Sequence, residues 1–280
     1  MKKLLTLFAT LALAALSVFT LFGCSGAKTP DDTIVIGASS TPHAEILESI
    51  REDVLSEGYK LDIVIYDDYV LPNTALEEGS LDANYFQHSP YLNNFNTERN
   101  THLVAAAKIH YELFGVFGNN VSKAEFEATK TGRTIFVPSD GTNCARALFV
   151  LQQNGYITLK EGVKPTDALT ESDIANSNGN TVTLIEAAQL PAQLKNASAG
   201  SLAVINGNYA LASGYHTSDL LAVESADEEN AQLYANVIAV KEGNENSQKT
   251  QVLLKALKSQ KVIDFINKTY GGAVLPVFEV

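Results

Sequence analysis

The sequence predicts an α/β protein built from two lobes, and three observations lead to this prediction. The chain has 280 residues, 45% of them hydrophobic, which is enough for one large or two medium domains with cores of their own. Short apolar strands alternate with helical segments near the start, as expected for right-handed βαβ units in an open sheet. After a polar stretch the same alternation resumes, which indicates a second α/β unit.

The first unit begins with an alternation of strands and helices. Pro42 suits the first turn of a helix and Gly58 can end it, with an apolar face between them. The segment 60–67 is nearly continuous in Leu, Ile and Val, which is typical of a parallel strand buried on both faces. The predicted elements are strands at 33–38, 60–67 and 81–86 and helices at 41–58 and 71–79.

The later part of the chain repeats this pattern around a polar segment, 161–181, that has no clear period and is predicted to be rich in loops. The predicted elements are a strand, loop and helix at 133–155, a strand-to-helix turn at 201–214, a strand at 234–240 and a helix from 247 to Gly271. We predict that residues 33–116 and 233–280 form lobe 1 and that residues 117–232 form lobe 2.

Residues 1–23 have the build of a lipoprotein signal peptide. A charged start, MKK, precedes an uncharged apolar run, and Leu21, Gly23 and Cys24 resemble a bacterial lipobox. In such a signal the cysteine receives acyl chains such as palmitate, so Cys24 is the predicted lipidation site and residues 24–32 the lipidated tether. The alternative is an uncleaved anchor. Both place the rest of the chain on the extracytoplasmic face of the cell membrane.

Charge and cysteine content narrow the class of protein further. The net charge of −12 argues against binding to nucleic acid or to anionic lipid by electrostatics alone. With Cys24 acylated, Cys144 is the remaining thiol, so no internal disulfide is expected and packing must hold the fold. The glycine spacings of Walker and dinucleotide-binding motifs are absent, and no cofactor is expected. We expect a monomer attached to the membrane through its lipid.

The stretch LDANYFQHSPYL mixes aromatic and polar residues at the end of a predicted strand. Strict alternation along the strand would place Phe86 and His88 on one face. Ser89 can cap the helix that follows, which brings Tyr91 into its first turn, and Tyr69 occupies the equivalent place on the neighbouring unit. The interpretation is an aromatic box with polar tips for a small apolar side chain. The alternative is ordinary core aromatics with a satisfied histidine.

A second stretch, PSDGTNCARAL, places small and polar residues before a predicted helix. Asn143 and Arg146 are three residues apart and share a helix face, and arginine can hold a carboxylate through two parallel hydrogen bonds. The alternative is an arginine paired to a surface acid. A third signal is the pair Asn206 and Asn236, which are candidates for binding an ammonium and a carboxylate, although asparagine is also common in turns. Together the three signals describe an amino-acid ligand.

These stretches resemble the methionine-binding lipoproteins of ABC importers, the MetQ/NlpA group. The matching motifs span essentially the whole mature chain in order: IGASSTPHAEIL, YDDYVLPNTALEEGSLDANYFQHSPYL, PSDGTNCARAL, EAAQLP, VINGNYAL and YGGAV. The resemblance implies a two-lobed, periplasmic-binding-protein-like fold, each lobe an open mixed sheet flanked by helices, with the ligand in the cleft between lobes. It implies a partner permease with its cytoplasmic ATPase, and L-methionine as ligand, with D-methionine or a methionine dipeptide as alternatives.

The resemblance also assigns roles to the candidate residues. It implies an aromatic side-chain pocket at Tyr69, Phe86, His88 and Tyr91, a carboxylate-binding Arg146 with Asn143 beside it, and backbone-reading asparagines at Asn206 and Asn236. Two positions depart from the family pattern: Leu113 stands where His-x-Glu-Pro motifs have proline, and Cys144 stands where the family often has glycine or a charged residue.

Two other functions compete with this hypothesis. An enzyme would use Cys144 as a nucleophile at a helix N-terminus that lowers its pKa, but no local base accompanies it. A metal-binding transport lipoprotein would need ligating histidines, and the five histidines of the chain lack metal-ligand spacing such as His-x₃-His. We therefore expect neither catalysis nor a bound metal.

Overall fold

Two mixed β-sheets organise residues 31–225 and 227–280, the part of the chain that the computed structural model describes. The strands are β1 (Thr33–Ala38), β2 (Lys60–Ile65), β3 (Ala83–His88), β4 (Leu103–Glu112), β5 (Gly115–Gly118), β6 (Thr134–Pro138), β7 (Thr158–Leu159), β8 (Ile174–Asn176), β9 (Thr181–Ile185), β10 (Leu202–Ile205), β11 (Ala222–Val223), β12 (Asn236–Lys241) and β13 (Val274–Pro276).

Helices connect most of these strands. They are α1 (Glu45–Ser49), α2 (Arg51–Ser56), α3 (Leu71–Glu77), α4 (Ser89–Arg99), α5 (Lys123–Ala128), α6 (Gly141–Gln153), α7 (Leu190–Asn196), α8 (Gly207–Ala212), α9 (Glu228–Leu233), α10 (Gln248–Leu257) and α11 (Gln260–Thr269). A π-helical turn, Ser40–Ala44, precedes α1, and shorter 3₁₀ turns lie at Glu171–Asp173, Ala187–Gln189 and Thr217–Asp219. None of the helices in the described ranges is long and apolar enough to cross a bilayer.

The six-stranded sheet has the order β13-β4-β12-β3-β1-β2, and the five-stranded sheet has the order β11-β5-β10-β6-β9. In the first, β1 is parallel to β2 and β3, whereas β12 is antiparallel to β3 and β4. In the second, β6 is parallel to β9 and β10, whereas β5 is antiparallel to β10. We call the six-stranded sheet with its helices lobe 1 and the five-stranded sheet with its helices lobe 2.

Apolar side chains cover both faces of each sheet. On β12, Ile238 and Val240 point into a core shared with α1, α10 and α11, whereas Val237 and Ala239 point into a second core on the opposite face. Lobe 2 likewise has a large core that includes α6 and a smaller one beside α7. Each lobe is therefore a sheet between two layers of helices, and ends of its strands lie at the interface between the lobes.

The chain passes between the two sheets twice, once between Glu112 and Gly115 and once between Val223 and Asn236. The first two residues of β5, 115 and 116, therefore fall within the range predicted for lobe 1, and the exact division into lobes stays a prediction. At the first passage the backbone N–H of Leu113 donates to the carbonyl of Ala273 at 3.0 Å. Proline has no N–H to donate, so the leucine at this position allows a bond to the loop before β13 that the family's proline cannot make.

Two predicted helices are interrupted in the structure. Within 41–58, Thr41 has an extended backbone and Ile50 a non-helical one, so this segment forms a π turn and two short helices. Within 247–272, Lys258 ends one helix and an extended Ser259 begins the next. The break allows α10 and α11 to bury their apolar faces in the same core of lobe 1.

Two strand predictions also need correction. β2 is parallel, as predicted, but it lies at the edge of its sheet and only Leu61 is fully buried, because β1 is its one strand neighbour among the described residues. The strict alternation predicted along β3 is interrupted by a β-bulge, since Val237 faces Gln87 while Ile238 faces Tyr85. The predicted signal peptide and Cys24 lie outside the described residues.

Candidate functional site

A small cavity lies between the two lobes, at the carboxyl ends of strands from both sheets. The space between its lining side chains amounts to about 370 Å³, part of which is open to solvent. All eight residues that the sequence proposed for ligand binding line it: Tyr69, Phe86, His88, Tyr91, Asn143, Arg146, Asn206 and Asn236. Five residues that the sequence analysis did not propose also line it: Gln87, Glu112, Gly207, Asn208 and Tyr234.

One end of the cavity is aromatic. The ring of Tyr69 lies 5.6 Å from that of Phe86 and 5.7 Å from that of Tyr91, measured between centroids. The hydroxyl of Tyr91 donates to the backbone carbonyl of Tyr69 at 2.9 Å, and the hydroxyl of Tyr69 donates across the lobes to Asn208 at 2.6 Å. These hydrogen bonds fix the ring positions, so this end presents preformed aromatic surface to a ligand.

His88 links β3 to helix α4 and connects the two lobes. Its Nδ1 accepts the backbone N–H of Tyr91 at 3.1 Å, so His88, rather than the predicted Ser89, caps the helix. Because Nδ1 is an acceptor, the proton lies on Nε2, which donates to the amide oxygen of Asn143 in lobe 2 at 3.1 Å. Burial, together with the nearby Arg146 charge, lowers the pKa of His88 to about 3, so the ring is neutral.

Asn143 is the central hydrogen-bonding residue of the lobe 2 wall. Its side-chain N–H groups donate to the carboxylate of Asp140, which also caps helix α6. Its oxygen accepts from His88 and from the side-chain nitrogen of Asn206, the latter at 2.9 Å. The oxygen of Asn206 is buried and finds no hydrogen-bond donor in the described part of the chain. An unpaired buried acceptor at a cavity wall is suited to a ligand that brings a donor.

Arg146 is a buried cation with a protein counter-ion. Its Nε donates to Glu224 at 3.2 Å and one Nη contacts the same carboxylate, which also accepts the hydroxyl of Tyr111 at 2.7 Å. The guanidinium lies between the rings of Phe114 and Tyr234, at 4.4 and 4.2 Å from their centroids. Burial alone would lower the pKa of Arg146, but the Glu224 carboxylate raises it above its ordinary value, so the charge persists.

The pairing partner of Arg146 differs from the surface acid that the sequence analysis named as the alternative. The acid is buried, not a surface residue, and the arginine still lines the cavity. A guanidinium has five N–H donors, and Glu224 and Asn143 engage three of them. The remaining donors can serve a ligand carboxylate while Glu224 balances the charge of the empty site.

A cluster of titratable side chains lies beside the cavity wall, centred on the Glu112 carboxylate. His110 and His43 contact the same carboxylate oxygen, with their Nε2 atoms at 2.8 and 3.2 Å. Burial raises the pKa of Glu112 and lowers the pKa of His43 to about 4 and of His110 to about 3. The three groups are close enough to hold a metal ion geometrically, although they are already joined by hydrogen bonds.

Cys144 does not line the cavity. Its side chain is fully buried in the core of lobe 2 and makes no disulfide. Burial raises the pKa of the thiol to about 12, the opposite of the shift that a nucleophilic cysteine requires. The structure therefore gives no support to the enzyme alternative built on this residue.

Sequence reasoning missed the acids of the site for different reasons. Glu112 ends β4 within the largely apolar stretch IHYELFGVF, and a lone carboxylate inside such a run is a signal that could have identified it. Glu224 lies in a short irregular segment 78 residues from Arg146, where no local pattern distinguishes it from a surface acid.

Comparison with known proteins gives consistent similarities. A family model described as NlpA lipoprotein matches residues 34–278. The chain is 37% identical over 257 residues to the methionine-binding lipoprotein MetQ of Bacillus subtilis (strain 168), covering 91% of this chain and 92% of that protein. It is similar to the structure of a nutrient binding protein from Burkholderia cenocepacia bound to methionine, with a TM-score of 0.78, 33% identity and coverage of 88% and 100%.

A second solved structure, an ABC transporter periplasmic substrate-binding protein from Coxiella burnetii, is similar with a TM-score of 0.77 and 33% identity. The match covers 87% of this chain and 99% of that one. These similarities confirm the predicted two-lobed fold of substrate-binding proteins. They give no support to the metal-binding alternative.

Proposed function

The chain belongs to the NlpA lipoprotein family, as its motifs predicted, and on this premise we propose that it captures methionine and delivers it to an ABC importer. L-methionine is the first candidate, with D-methionine or a methionine dipeptide as alternatives. The protein would not act as an enzyme. The family of the chain and the names of its relatives support this proposal.

The main support for the proposal is a single cavity between the lobes that is aromatic at one end and charged at the other. Tyr69, Phe86 and Tyr91 form the apolar end, which suits a thioether because sulfur packs favourably against aromatic rings, by about 0.3–1.5 kcal/mol beyond area burial. A ligand with one apolar side chain and a compact charged end would fill both parts.

The polar end offers complementary groups for an amino-acid backbone. The unused N–H groups of Arg146 and the side-chain nitrogen of Asn236 are donors suited to a carboxylate. The unpaired oxygen of Asn206 and the carboxylate of Glu112 are acceptors suited to an ammonium group. A zwitterion would leave the net charge of the site unchanged, which lowers the cost of enclosing it.

Attachment and delivery are part of the proposal and are supported by the sequence motifs and the family. Cys24 would carry the lipid, residues 24–32 would tether the two lobes to the extracytoplasmic face, and a monomer would present the closed lobes to the permease and its ATPase. Lobe boundaries at 116 and 233 remain part of this proposal.

A ligand panel tests the proposed function. The full chain in detergent, unfolded and refolded to remove bound ligand, is titrated with L-methionine, D-methionine, methionine dipeptides, leucine and zinc by calorimetry and thermal denaturation. A methionine species at 100 times its Kd should stabilise the fold by about 2.7 kcal/mol, and zinc should not. If no methionine species raises the melting temperature, the proposed function is wrong.

A further inference from the structure

His43 contacts two residues of the cavity wall without lining the cavity itself. It lies in the turn after β1, fully buried, with its ring packed edge-on against Tyr85 and His110 at centroid distances of 4.7 and 4.9 Å. Its Nε2 lies 2.9 Å from the side-chain oxygen of Asn236 and 3.2 Å from Glu112. One ring nitrogen therefore reaches both wall residues.

The position of the proton on His43 follows from its partners. The carboxylate of Glu112 can only accept, so Nε2 must carry the proton and donate to it. A proton on Nδ1 instead would leave a buried donor without an acceptor, because Nδ1 has no partner in the described part of the chain. It would also turn a lone pair of Nε2 toward the Glu112 carboxylate.

This tautomer fixes the orientation of the Asn236 amide. If the amide were reversed, its N–H₂ group would face the N–H of His43, and two donors would oppose each other. The oxygen of Asn236 therefore points to His43, and its nitrogen remains available toward the cavity. The same N–H of His43 fixes Glu112, and His110 holds the same carboxylate oxygen from the other side at 2.8 Å while its Nδ1 contacts the hydroxyl of Tyr85.

We propose that His43 is a positioning residue that sets the polarity of the ligand site, keeping Asn236 as a donor and Glu112 as an acceptor toward the bound molecule. This inference rests on the proposed function, in which an α-amino acid occupies the cavity. A donor and an acceptor held side by side select a ligand with a carboxylate and an ammonium on the same carbon. Molecules that lack the ammonium bring no cation to the Glu112 carboxylate, so His43 contributes to specificity for α-amino acids.

Two matched variants test the assignment. In His43→Gln the side-chain amide nitrogen reaches approximately the position of Nε2 and can donate in its place, whereas in His43→Asn the amide is too short and reaches only the position of Nδ1. Calorimetry on the full chain in detergent compares L-methionine with 4-(methylthio)butanoate, which has the same side chain and carboxylate but no ammonium. His216→Gln, an exposed histidine of lobe 2, is the control.

We expect His43→Asn to weaken methionine binding about ten- to hundredfold. The desamino acid should be weakened less, because it can lose only the Asn236 contact to its carboxylate and has no ammonium to lose at Glu112. His43→Gln should retain most of the affinity, and His216→Gln should change nothing. The losses of methionine affinity caused by His43→Asn and by Glu112→Gln should be less than additive in the double variant, because both substitutions disturb the same acceptor at Glu112. Urea unfolding of each variant verifies that the fold is intact.

Four outcomes would overturn the inference. Equal weakening of both ligands by His43→Asn would indicate a merely structural role, and failure of His43→Gln to retain affinity would do the same. A zinc-dependent rise in melting temperature that His43→Asn abolishes would make the His43, His110 and Glu112 group a metal site instead. If the unaltered chain does not bind methionine, the proposed function itself fails, whereas unchanged methionine binding by His43→Asn refutes only the role of His43.

Discussion

At the residue scale, Arg146 is both a candidate ligand contact and half of a buried ion pair. Both side chains of the pair with Glu224 are almost fully buried. Removing one member of a buried pair leaves an uncompensated charge, which usually costs about 3–5 kcal/mol, whereas replacing both by apolar groups of similar size is often neutral. A single substitution at Arg146 is therefore expected to reduce both ligand binding and the stability of the fold, and that variant alone does not separate the two effects.

A pair of variants separates these two effects. We expect Arg146→Met alone to lower the free energy of unfolding by about 3–5 kcal/mol and Arg146→Met with Glu224→Leu to restore most of it. Methionine affinity should be lost in both, because neither retains the guanidinium. Urea unfolding and calorimetry measure the two quantities. A double variant that binds methionine with unchanged affinity would remove Arg146 from the ligand site.

The residues of the site divide into those that local sequence can reveal and those that it cannot. The aromatic box is visible because Phe86, His88 and Tyr91 lie within six residues at a strand end, where α/β sheets place ligands. Arg146 is visible because it lies in the second turn of a helix that follows a polar loop. Its partner Glu224 comes from an irregular segment between two sheets, and His43 joins Glu112 across 69 positions in sequence, so only the folded chain brings them together.

At the element scale, the prediction of strands and helices was most reliable where one pattern continued without interruption. β1, β3, β6 and α6 follow directly from apolar runs and from polar loops before helices. Breaks inside predicted elements were missed, since Lys258 and Ile50 belong to residue types that helices accept. Tertiary packing against the lobe 1 core decided these breaks, and a bulge in β3 likewise depends on its partner β12.

The start of helix α8 depends on a glycine that has no room for a side chain. A Cβ at Gly207 would lie 2.7 Å from the Cβ of Glu112 and 2.9 Å from the carbonyl oxygen of Leu113. Both residues lie where β4 ends and the chain passes from lobe 1 to lobe 2. Gly207 follows β10, which pairs with β5 directly after the first chain passage, so this contact joins lobe 2 to lobe 1 beside that passage. Close approach of the two backbones therefore requires glycine here.

We expect Gly207→Ala to weaken methionine binding by at least about tenfold, because closure must then displace the backbone of one lobe. The free energy of unfolding of the ligand-free protein should fall much less, since the added methyl is tolerated when the lobes are apart. Calorimetry and urea unfolding test this, with Ala212→Ser, an exposed position of the same helix, as the control. Unchanged affinity would show that α8 does not approach Glu112 in the bound state.

At the scale of the whole molecule, several hydrogen bonds join the lobes around the cavity. His88 of lobe 1 donates to Asn143 of lobe 2, Tyr69 donates to Asn208, and the hydroxyl of Tyr209 in lobe 2 donates to the backbone carbonyl of Asp67 at 3.1 Å. The ligand cavity has walls from both lobes, so these bonds and a bound ligand favour the same closed arrangement. Ligand affinity and lobe closure should therefore be coupled.

Burial of neutral histidines across the molecule predicts how its stability depends on pH. The pKa of His43 is about 4 and the pKa of His88 and of His110 is about 3, because burial disfavours the charged rings. The unfolded chain takes up protons on these residues below about pH 6.5, whereas the folded chain does not. Stability is thus fully present above about pH 6.5 and falls as the pH decreases toward 4.

At pH 5.5 each of the three histidines should lower the free energy of unfolding by about 1.4 kcal/mol relative to pH 7.5. Glu112 acts in the opposite direction, because its raised pKa lets the folded state take up a proton before the unfolded state does, which offsets part of the loss. Urea unfolding of the ligand-free chain at both pH values measures the difference. His43→Gln removes one buried imidazole and should reduce the acid loss by about a third. Equal stability at pH 7.5 and 5.5 would show that these histidines take up protons in the folded protein, and the neutral Nε2–H tautomers assigned to the site would then be wrong.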